Sequence, residues 1–501
     1  MQTLLLILFF SLLLVIFLYS LAQLNLLINY LKQRNKPDTS QKWHFSEASD
    51  MPHVTIQLPV YNEKPVVERL LKNIAEIDYP KEKLEIQVLD DSTDDSTELT
   101  KKLIAEIQSR GIDIQHLQRT NRKGFKAGAL KEGLKTATGE FIAIFDSDFL
   151  PKKDWLYKTL PYFKDEKIGV VQTRWGHLNR NFSLLTKLQA FLLDFHFILE
   201  QNGRNAGNHF INFNGTAGIW RKSCILDAGN WHGDTLTEDL DLSYRAQLKG
   251  WKFKYLEKVE TPAELPITLK AARSQQFRWN KGAAENFQKN YSKMLFSPGI
   301  SFRTKLHGFF HLLNSSMFFL VLLLALLSLP LLAIEPGNHR EILVGILSFF
   351  SISTLIFFFS YWTTFAKTHG RSMVSFLKFL ITFFTFFAIA MGLSLHNSIA
   401  VLEGHFGKRS AFVRTPKFNL TKGQSYRSSE KQEFSIQLLF EMLLMTVFGL
   451  AVFYAFKREN YSLLLFHLML FFGFAYVVFT SLNIRFWKPN SFSKPVRSGV
   501  K

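Results

Sequence analysis

The chain has 501 residues, with 60 lysines and arginines against 41 acidic residues, and a formal net charge of +19. Apolar residues make up 47% of it, and they concentrate in residues 1–30 and 301–501, which excludes a single soluble globule. The single cysteine, Cys224, cannot form an internal disulfide, and no motif for DNA or RNA binding accompanies the basic charge, so nucleic acid is not a predicted partner.

The first apolar run, residues 1–30, is uncharged and long enough to span a bilayer, which takes about 20 residues. A cleaved signal peptide would begin with a basic segment, and this run does not, so we predict an uncleaved transmembrane helix. Three basic residues follow it: Lys32, Arg34 and Lys36. Because basic flanks face the cytoplasm, we expect residues 31–300 to form a cytoplasmic domain and residues 301–501 a C-terminal membrane region.

Within residues 31–300, short β-branched segments alternate with helical stretches. The predicted strands are Val54–Val60, Leu84–Leu89, Ile112–Leu117, Phe141–Phe145 and Ile168–Gln172. The predicted helices are Glu63–Ile77, Ser96–Ser109 and Lys126–Thr136. This alternation indicates an α/β domain with parallel strands, whose ligands bind at the carboxyl ends of the strands. No dinucleotide-binding or phosphate-loop glycine pattern follows the first strand.

Acidic pairs follow two of these strands. Asp146 and Asp148 come directly after Phe141–Phe145, and two carboxylates one residue apart suit Mg²⁺ or Mn²⁺, although a solvated turn has the same composition. Asp90 and Asp91 end the neighbouring strand. They predict either a site that pairs with a cation such as Lys126 or an acidic loop before a helix.

Two later motifs also carry chemistry. Thr237-Glu238-Asp239 fits a helix start capped by the threonine, and it equally fits a pocket in which Asp239 accepts a proton from a hydroxyl. Gln275, Arg278 and Trp279 lie on a basic helix before the second apolar run. Arginine can bind a diphosphate and tryptophan can stack on a sugar, which favours a binding site. The alternative is that this helix is a juxtamembrane amphipathic helix without a binding role.

The C-terminal region contains five apolar runs, at about 308–334, 342–366, 373–401, 436–456 and 461–482. If all five crossed the membrane, the basic loop 403–433 would lie outside, against the preference of basic loops for the cytoplasm. The run 373–401 carries Lys378, His396 and Asn397, so we predict that it is an interfacial helix and that the other four runs span. The alternative is that all of them span.

Taken together and in this order, the Asp-Asp, Asp-x-Asp, Thr-Glu-Asp and Gln-x-x-Arg-Trp motifs before a block of membrane helices resemble the processive family 2 glycosyltransferases. Further stretches resemble the plant and bacterial cellulose-synthase-like mannan and glucan synthases. These stretches are 121–130 (NRKGFKAGAL), 171–175 (VQTRW), 213–220 (FNGTAGIW), 238–246 (EDLDLSYRA) and 274–279 (SQQFRW).

The resemblance implies a GT-A type, Rossmann-like mixed sheet and a role for each motif. It implies that the donor nucleotide is bound by Tyr61, Glu63, Asp90, Asp91, Lys126 and Asp146. It makes Asp148 the metal ligand and Asp239, beside Glu238, the catalytic base. It assigns the acceptor and the diphosphate to Asn214, Gly215, Thr216, Gln275, Arg278 and Trp279. The stretch 412–417 (FVRTPK) resembles a gating loop through Phe412, Thr415 and Lys417, but Arg414 departs from the best-known pattern.

These assignments predict a metal-dependent, inverting hexosyltransferase of cell-wall polysaccharide synthesis, with Mg²⁺ or Mn²⁺ as cofactor. It would take UDP-glucose or GDP-mannose, extend a β-linked polysaccharide acceptor and extrude the product. Its predicted partners also include membrane lipid and accessory subunits. We expect a multi-pass protein of the bacterial inner or plasma membrane, or of the Golgi in a eukaryote. The alternatives are a non-processive transferase that adds one sugar to a lipid and, from another class, a transporter with a cytoplasmic domain.

Overall fold

The described part of the chain carries one mixed sheet and a bundle of long helices. The computed structural model describes residues 2–40, 42–45, 47–335, 337–410, 412–419 and 435–482. The strands are β1 (Val54–Val60), β2 (Leu84–Asp90), β3 (Asp113–Gln118), β4 (Phe141–Ile144), β5 (Ile168–His177), β6 (Gly218–Arg221) and β7 (Lys252–Ala263).

The helices flank the sheet and then continue into the C-terminal region. Those up to residue 300 are α1 (Gln2–Gln33), α2 (Lys64–Ile74), α3 (Ser96–Gln108), α4 (Phe125–Thr136), α5 (Trp155–Thr159), α6 (Leu184–Asp194), α7 (Gln201–Ala206), α8 (Lys222–Asp227), α9 (Glu238–Leu248) and α10 (Leu269–Phe296). The C-terminal ones are α11 (Phe302–Leu313), α12 (Met317–Leu331), α13 (Asn338–His369), α14 (Met373–Gly392), α15 (Ser394–His405), α16 (Ile436–Lys457) and α17 (Leu464–Ser481).

The sheet has the order β3-β2-β1-β4-β6-β5-β7. Strands β1 to β4 pair in parallel, β5 pairs in parallel with β7, and β6 runs antiparallel to both of its neighbours. The predicted mixed α/β sheet is therefore confirmed. Strands β6 and β7 were not predicted, because β6 has only four residues and β7 is interrupted by charged residues.

Helices cover both faces of this sheet. Leu70 of α2 and Ile104 of α3 belong to one apolar core, whereas Leu130 of α4 and Leu242 of α9 belong to the other. A parallel sheet that is buried on both faces leaves the carboxyl ends of its strands as the accessible edge. The polar residues that follow β1, β2 and β4 are thus directed to one side of the domain.

Six helices among the described residues are long and apolar enough to cross a membrane: α1, the α11–α12 pair (Phe302–Leu331), α13, α14, α16 and α17. The predicted spans at 1–30, 342–366, 436–456 and 461–482 lie within or close to α1, α13, α16 and α17. The run predicted at 308–334 begins earlier, since α11 starts at Phe302.

The run 373–401 is two helices and not the single helix that we predicted, because the chain turns at Leu393 between α14 and α15. Helix α14 packs closely on α17, where a side chain on Gly473 would meet the carbonyl oxygen of Ala388 at 1.9 Å. Helix α15 returns to α10, where Glu403 pairs with Lys281 at 3.0 Å. A side chain on Gly404 would lie 2.6 Å from the Lys281 carbonyl oxygen, so this contact requires a glycine.

Candidate active site

Side chains from distant parts of the chain line one cavity at the carboxyl ends of the strands. The cavity encloses about 1330 Å³, counting its open mouth. The predicted site residues that line it are Tyr61, Glu63, Asp91, Lys126, Asp146, Asp148, Asn214, Gly215, Glu238, Asp239, Gln275, Arg278, Trp279, Phe412, Thr415 and Lys417. The topology brings these motifs together although they span most of the chain.

Lys126 lies among the acidic groups of this cavity. Its Nζ is 2.6 Å from Asp146 Oδ1 and donates to the Gly215 carbonyl oxygen at 2.8 Å. Burial alone would lower the pKa of Lys126, but Asp146, Glu238 and Asp239 more than offset burial and hold this pKa above its usual value. Lys126 therefore stays charged and pairs with Asp146, not with the Asp90–Asp91 pair suggested by the sequence.

Asp148 is almost fully buried, with a side chain that is 1% exposed. Its Oδ2 accepts a hydrogen bond from the Glu264 backbone N–H at 3.1 Å, and its Oδ1 lies 2.8 Å from Lys417 Nζ. A buried carboxylate is costly unless a cation accompanies it, and here the ammonium of Lys417 does so. Asp148 thus presents an oxygen to a position that accommodates a positive charge.

Glu238 and Asp239 open helix α9 at the wall of the cavity. Burial raises the pKa of both carboxyl groups, and for Asp239 the repulsion from Glu238 raises the pKa further, while Lys126 opposes this shift. Gly215 has φ +78°, and a side chain there would lie 3.2 Å from Asp239 Oδ2. The glycine permits both the left-handed turn and the approach of the Asp239 carboxylate.

Asp90 and Thr216, which we predicted to line the site, do not line the cavity, and Thr237 does not cap helix α9. Asp90 is buried against His116, with Oδ2 2.9 Å from Nε2, and does not line the cavity; Asp91 does line it and pairs with Arg119. Thr216 lies behind the cavity, where its Oγ1 accepts a hydrogen bond from the Asp146 N–H at 2.8 Å. The Thr237 side chain does not cap α9, because its Oγ1 accepts instead from Asn286 at 3.0 Å.

Helix α10 supplies the opposite wall through Gln275, Arg278 and Trp279. The Arg278 guanidinium donates to Thr415 Oγ1 at 2.7 Å and lies 4.8 Å from the centre of the Phe412 ring. Burial lowers the pKa of Arg278, an effect that the carboxylates Asp146, Glu238 and Asp239 oppose. The Trp279 ring lies 6.5 Å from that of Trp175, so two indoles border the same part of the cavity.

Residues 412–419, which we call the gating segment, close over this cavity. Phe412 stacks on Phe125 with ring centres 5.5 Å apart, and Arg414 Nη1 lies 2.7 Å from Glu63 Oε2. The backbone N–H groups of Phe418 and Asn419 donate to Glu264 Oε2 at 3.2 and 3.1 Å. Residues 420–433 of the predicted gating loop lie outside the described residues.

Sequence reasoning missed several residues that line this cavity. Arg122 lies over the Tyr61 ring, Trp175 faces Trp279, and Glu264 anchors the gating segment. Arg122 and Trp175 stood inside the stretches 121–130 and 171–175, which carried the resemblance, but only the fold reveals what they contact. Glu264 follows β7, a strand that the sequence did not predict, so no signal marked it.

A second acidic group lies outside this cavity. His232, Asp234 and Asp241 have potential ligand atoms within 4.8 Å of one another. Their carboxylates already pair with cations, since Lys289 lies 2.8 Å from Asp234 and 3.0 Å from Asp241, and Arg245 also binds Asp241. Both carboxylates of this group thus have cationic side chains as partners.

The mixed sheet and the carboxylates at its edge define a GT-A type glycosyltransferase. A family described as "Glycosyltransferase like family 2" matches residues 52–282. Glucomannan 4-beta-mannosyltransferase 2 of Arabidopsis thaliana is 36% identical over 416 residues, which cover 79% of this chain and 74% of that protein. The chain belongs to the family 2 glycosyltransferases and is homologous to the plant cellulose-synthase-like glucomannan mannosyltransferases.

Two further comparisons set the extent of this similarity. Probable glucomannan 4-beta-mannosyltransferase 4 of Oryza sativa subsp. japonica is 44% identical over 266 residues, covering 52% of this chain and 48% of that protein. The chain thus spans about half the length of several curated relatives that it matches. The mannosyltransferase PcManGT from Pyrobaculum calidifontis, solved with GDP-Man and Mn²⁺, has a TM-score of 0.53 at 18% identity, covering 80% of this chain and all of that one, and shares the fold.

Proposed function

We propose that this protein transfers mannose from GDP-mannose to the end of a β-linked polysaccharide and inverts the anomeric configuration. The observation that carries the proposal is the placement of Asp239 in one cavity with Asp146, Asp148 and Arg278. The choice of mannose over the alternative UDP-glucose rests on the relatives, which are named as glucomannan 4-beta-mannosyltransferases.

Asp146 and Asp148 fit a divalent cation. Both offer carboxylate oxygens, which are the ligands that Mg²⁺ and Mn²⁺ prefer. Among the described residues, the buried Asp148 Oδ1 has the Lys417 ammonium as its only partner. When bound, such a cation offsets the charge that develops on the leaving diphosphate. Arg278 and Lys126 contribute positive charge in the same cavity, at a place where little water screens it.

Asp239 is the proposed general base. Its carboxylate accepts the proton of the acceptor hydroxyl, which then attacks the anomeric carbon from the face opposite the diphosphate. Burial and Glu238 raise its pKa, which makes the carboxylate a better proton acceptor, while Lys126 keeps the ionised form accessible. The gating segment excludes water from the donor, which favours transfer to a sugar hydroxyl over hydrolysis.

The acceptor would lie between the indole of Trp279 and Asn214. From Asn214 a chain of buried and partly buried hydrogen bonds leads away from the cavity into the apolar helices. It runs from Asn214 to His196 (3.0 Å), His196 to Glu200 (2.9 Å), Glu200 to Gln23 (2.7 Å), Gln23 to Tyr19 (2.8 Å) and Tyr19 to Asn314 (2.7 Å). Buried polar side chains within apolar helices suit a hydroxyl-rich polymer, and this supports processive synthesis with extrusion beside α1.

The catalytic domain and the gating segment would share the cytoplasmic side. Lys367, at the end of α13, pairs with Glu257 of the catalytic domain, and Lys417 pairs with Asp148 inside the cavity. The chain between these two points therefore begins and ends on the same side. We propose that α14 and α15 together enter the bilayer and turn back, while α1, α11–α12, α13, α16 and α17 cross it.

The test is sugar transfer by the full chain in lipid vesicles. The vesicles would be supplied in turn with labelled GDP-mannose or UDP-glucose and Mn²⁺, and the product would be sized and analysed for linkage. We expect long β-linked mannose polymers from GDP-mannose, which Asp239→Asn abolishes. Incorporation from UDP-glucose alone would refute the donor, and a product with one sugar on lipid would refute the polymerase.

A further inference from the structure

We infer that Arg122 recognises the guanine base of the donor by donating two hydrogen bonds to its O6 and N7. This inference rests on the proposed GDP-sugar donor and names the residue that would select its nucleotide. Arg122 lies on the segment before α4, and it lines the cavity together with Tyr61 and Asp91, which follow β1 and β2.

The guanidinium of Arg122 is held in a defined position. Its central carbon lies 3.3 Å from the centre of the Tyr61 ring and 5.4 Å from the centre of the Phe125 ring. A guanidinium on an aromatic face is attracted by the ring electrons, which fixes its plane without using its N–H donors. The fork of donors is therefore oriented before a ligand arrives.

Arg122 differs from the other cations that line the cavity. Each of those has an oxygen partner: Lys126 has Asp146, Arg278 has Thr415, Arg414 has Glu63 and Lys417 has Asp148. Arg122 makes no ion pair or side-chain hydrogen bond within the described residues, and its Nε is buried. A buried donor without an acceptor is unfavourable, so a ligand with acceptor atoms would stabilise this arrangement.

The surroundings of Arg122 favour a base over a phosphate. Its neighbours are the aromatic rings of Tyr61 and Phe125, and Phe412 stacks on Phe125 from the gating segment. Aromatic faces bind bases by stacking. The diphosphate, by contrast, belongs near Asp146 and Asp148, where the candidate cation position lies.

Guanine is the base that matches an arginine fork. It presents two adjacent acceptors, O6 and N7, and a bidentate arginine is its most common specific contact. Adenine places a donor amino group beside N7, and uracil has no such pair of neighbouring acceptors. Arg122 would therefore favour GDP-sugars over UDP- and ADP-sugars.

The experiment measures binding of GDP, 7-deaza-GDP and UDP to the full chain in nanodiscs, for the natural protein, Arg122→Ala, Arg122→Lys and the control Lys123→Ala. Lys123 is exposed and next in sequence, so its variant removes the same charge outside the cavity. We expect Arg122→Ala and Arg122→Lys to weaken GDP binding roughly ten- to a hundredfold and UDP binding less than twofold. The natural protein should bind 7-deaza-GDP, which lacks N7, several times more weakly than GDP, and Arg122→Ala should bind both equally.

Equal losses of GDP and UDP in Arg122→Ala would overturn the inference, because they would indicate a phosphate contact. So would a comparable loss in Lys123→Ala, or a preference for GDP over 7-deaza-GDP that survives in Arg122→Ala. These results would leave the proposed mannosyltransferase standing if GDP-mannose still supports polymer synthesis. Retained UDP binding in Arg122→Ala shows that the variant is folded, and a natural protein that polymerises only from UDP-glucose would refute the proposed donor itself.

Discussion

Replacing Arg414 with methionine should release the gating segment from the donor cavity. Arg414 Nη1 lies 2.7 Å from Glu63 Oε2, and the Glu63 side chain is only 8% exposed. Burial raises the pKa of Glu63 to about 7 even though Arg414 opposes the shift, so removal of Arg414 should raise this pKa further and leave the carboxyl group largely neutral near pH 7. Methionine keeps much of the apolar stem and removes the charge.

The size of the effect follows from the exposure of the pair. Exposed ion pairs contribute about 0.2–1 kcal/mol, whereas loss of one partner from a fully buried pair costs about 3–5 kcal/mol. Arg414 is 27% exposed, which places this pair between the two limits. We therefore expect a cost of about 2 kcal/mol, or roughly a 30-fold smaller closing equilibrium of the gating segment.

Hydrogen exchange measures this equilibrium directly. The N–H groups of Phe418 and Asn419 donate to Glu264 when the segment is closed, so their protection should fall roughly 30-fold in Arg414→Met. Lys408→Met is the control, because Lys408 forms an exposed pair with Glu403 outside the cavity, and this variant should change protection little. Unchanged protection in Arg414→Met, or equal losses in both variants, would refute the reasoning.

Further predictions concern the acid groups and the helix packing. Lowering the pH through about 7 should protonate Glu63 and favour the closed gating segment, because burial raises the pKa of Glu63 in the closed site and opening would return it toward its ordinary value; protection that falls or stays constant as the pH is lowered, after correction for the intrinsic exchange rate, would contradict this. Asp239→Asn should lower kcat about 10²- to 10⁴-fold with little change in GDP-mannose binding, and a matching loss of binding would argue against a base. Asp148→Asn should remove the Mn²⁺ dependence of donor binding in a titration, whereas a Mn²⁺ response equal to that of the natural protein would contradict a metal ligand. Gly473→Ala should lower the thermal stability in detergent by about 1–3 kcal/mol, because its new side chain would meet the Ala388 carbonyl, while Gly345→Ala, which has open space, should not.

The sequence predicted most of the sheet, because strand periodicity is a local signal. It also predicted that the acidic motifs meet, because parallel strands place their carboxyl ends at the same edge of a sheet. It could not decide between Asp90 and Asp91. Successive side chains along an extended segment point to opposite faces, so only one of two neighbours enters the cavity. The local sequence pattern does not show which of the two aspartates that is. The structure directs Asp90 to His116 and Asp91 to the cavity rim.

The partners in the ion pairs of the site could not be predicted from local sequence patterns either. Lys126 was matched with Asp90 and Asp91, but it contacts Asp146, because the packing of α4 on the sheet decides which carboxylate it reaches. The break at Leu393 was also missed. Its flanks are both apolar, and Gly392, directly before the break, packs on Gly473 of α17, a contact that the composition of one segment does not reveal.

The helix that carries Arg278 also anchors the chain on both sides of the gating segment. Before this segment, Glu403 of α15 is tied to Lys281 of α10; after it, Glu441 of α16 accepts two hydrogen bonds from Arg273 of α10, each at 2.7 Å. The chain on both sides of the gating segment is therefore attached to the same helix, α10. Opening of the gating segment would then not require α15 or α16 to separate from α10, so its free-energy cost would be limited to the contacts of a short peptide.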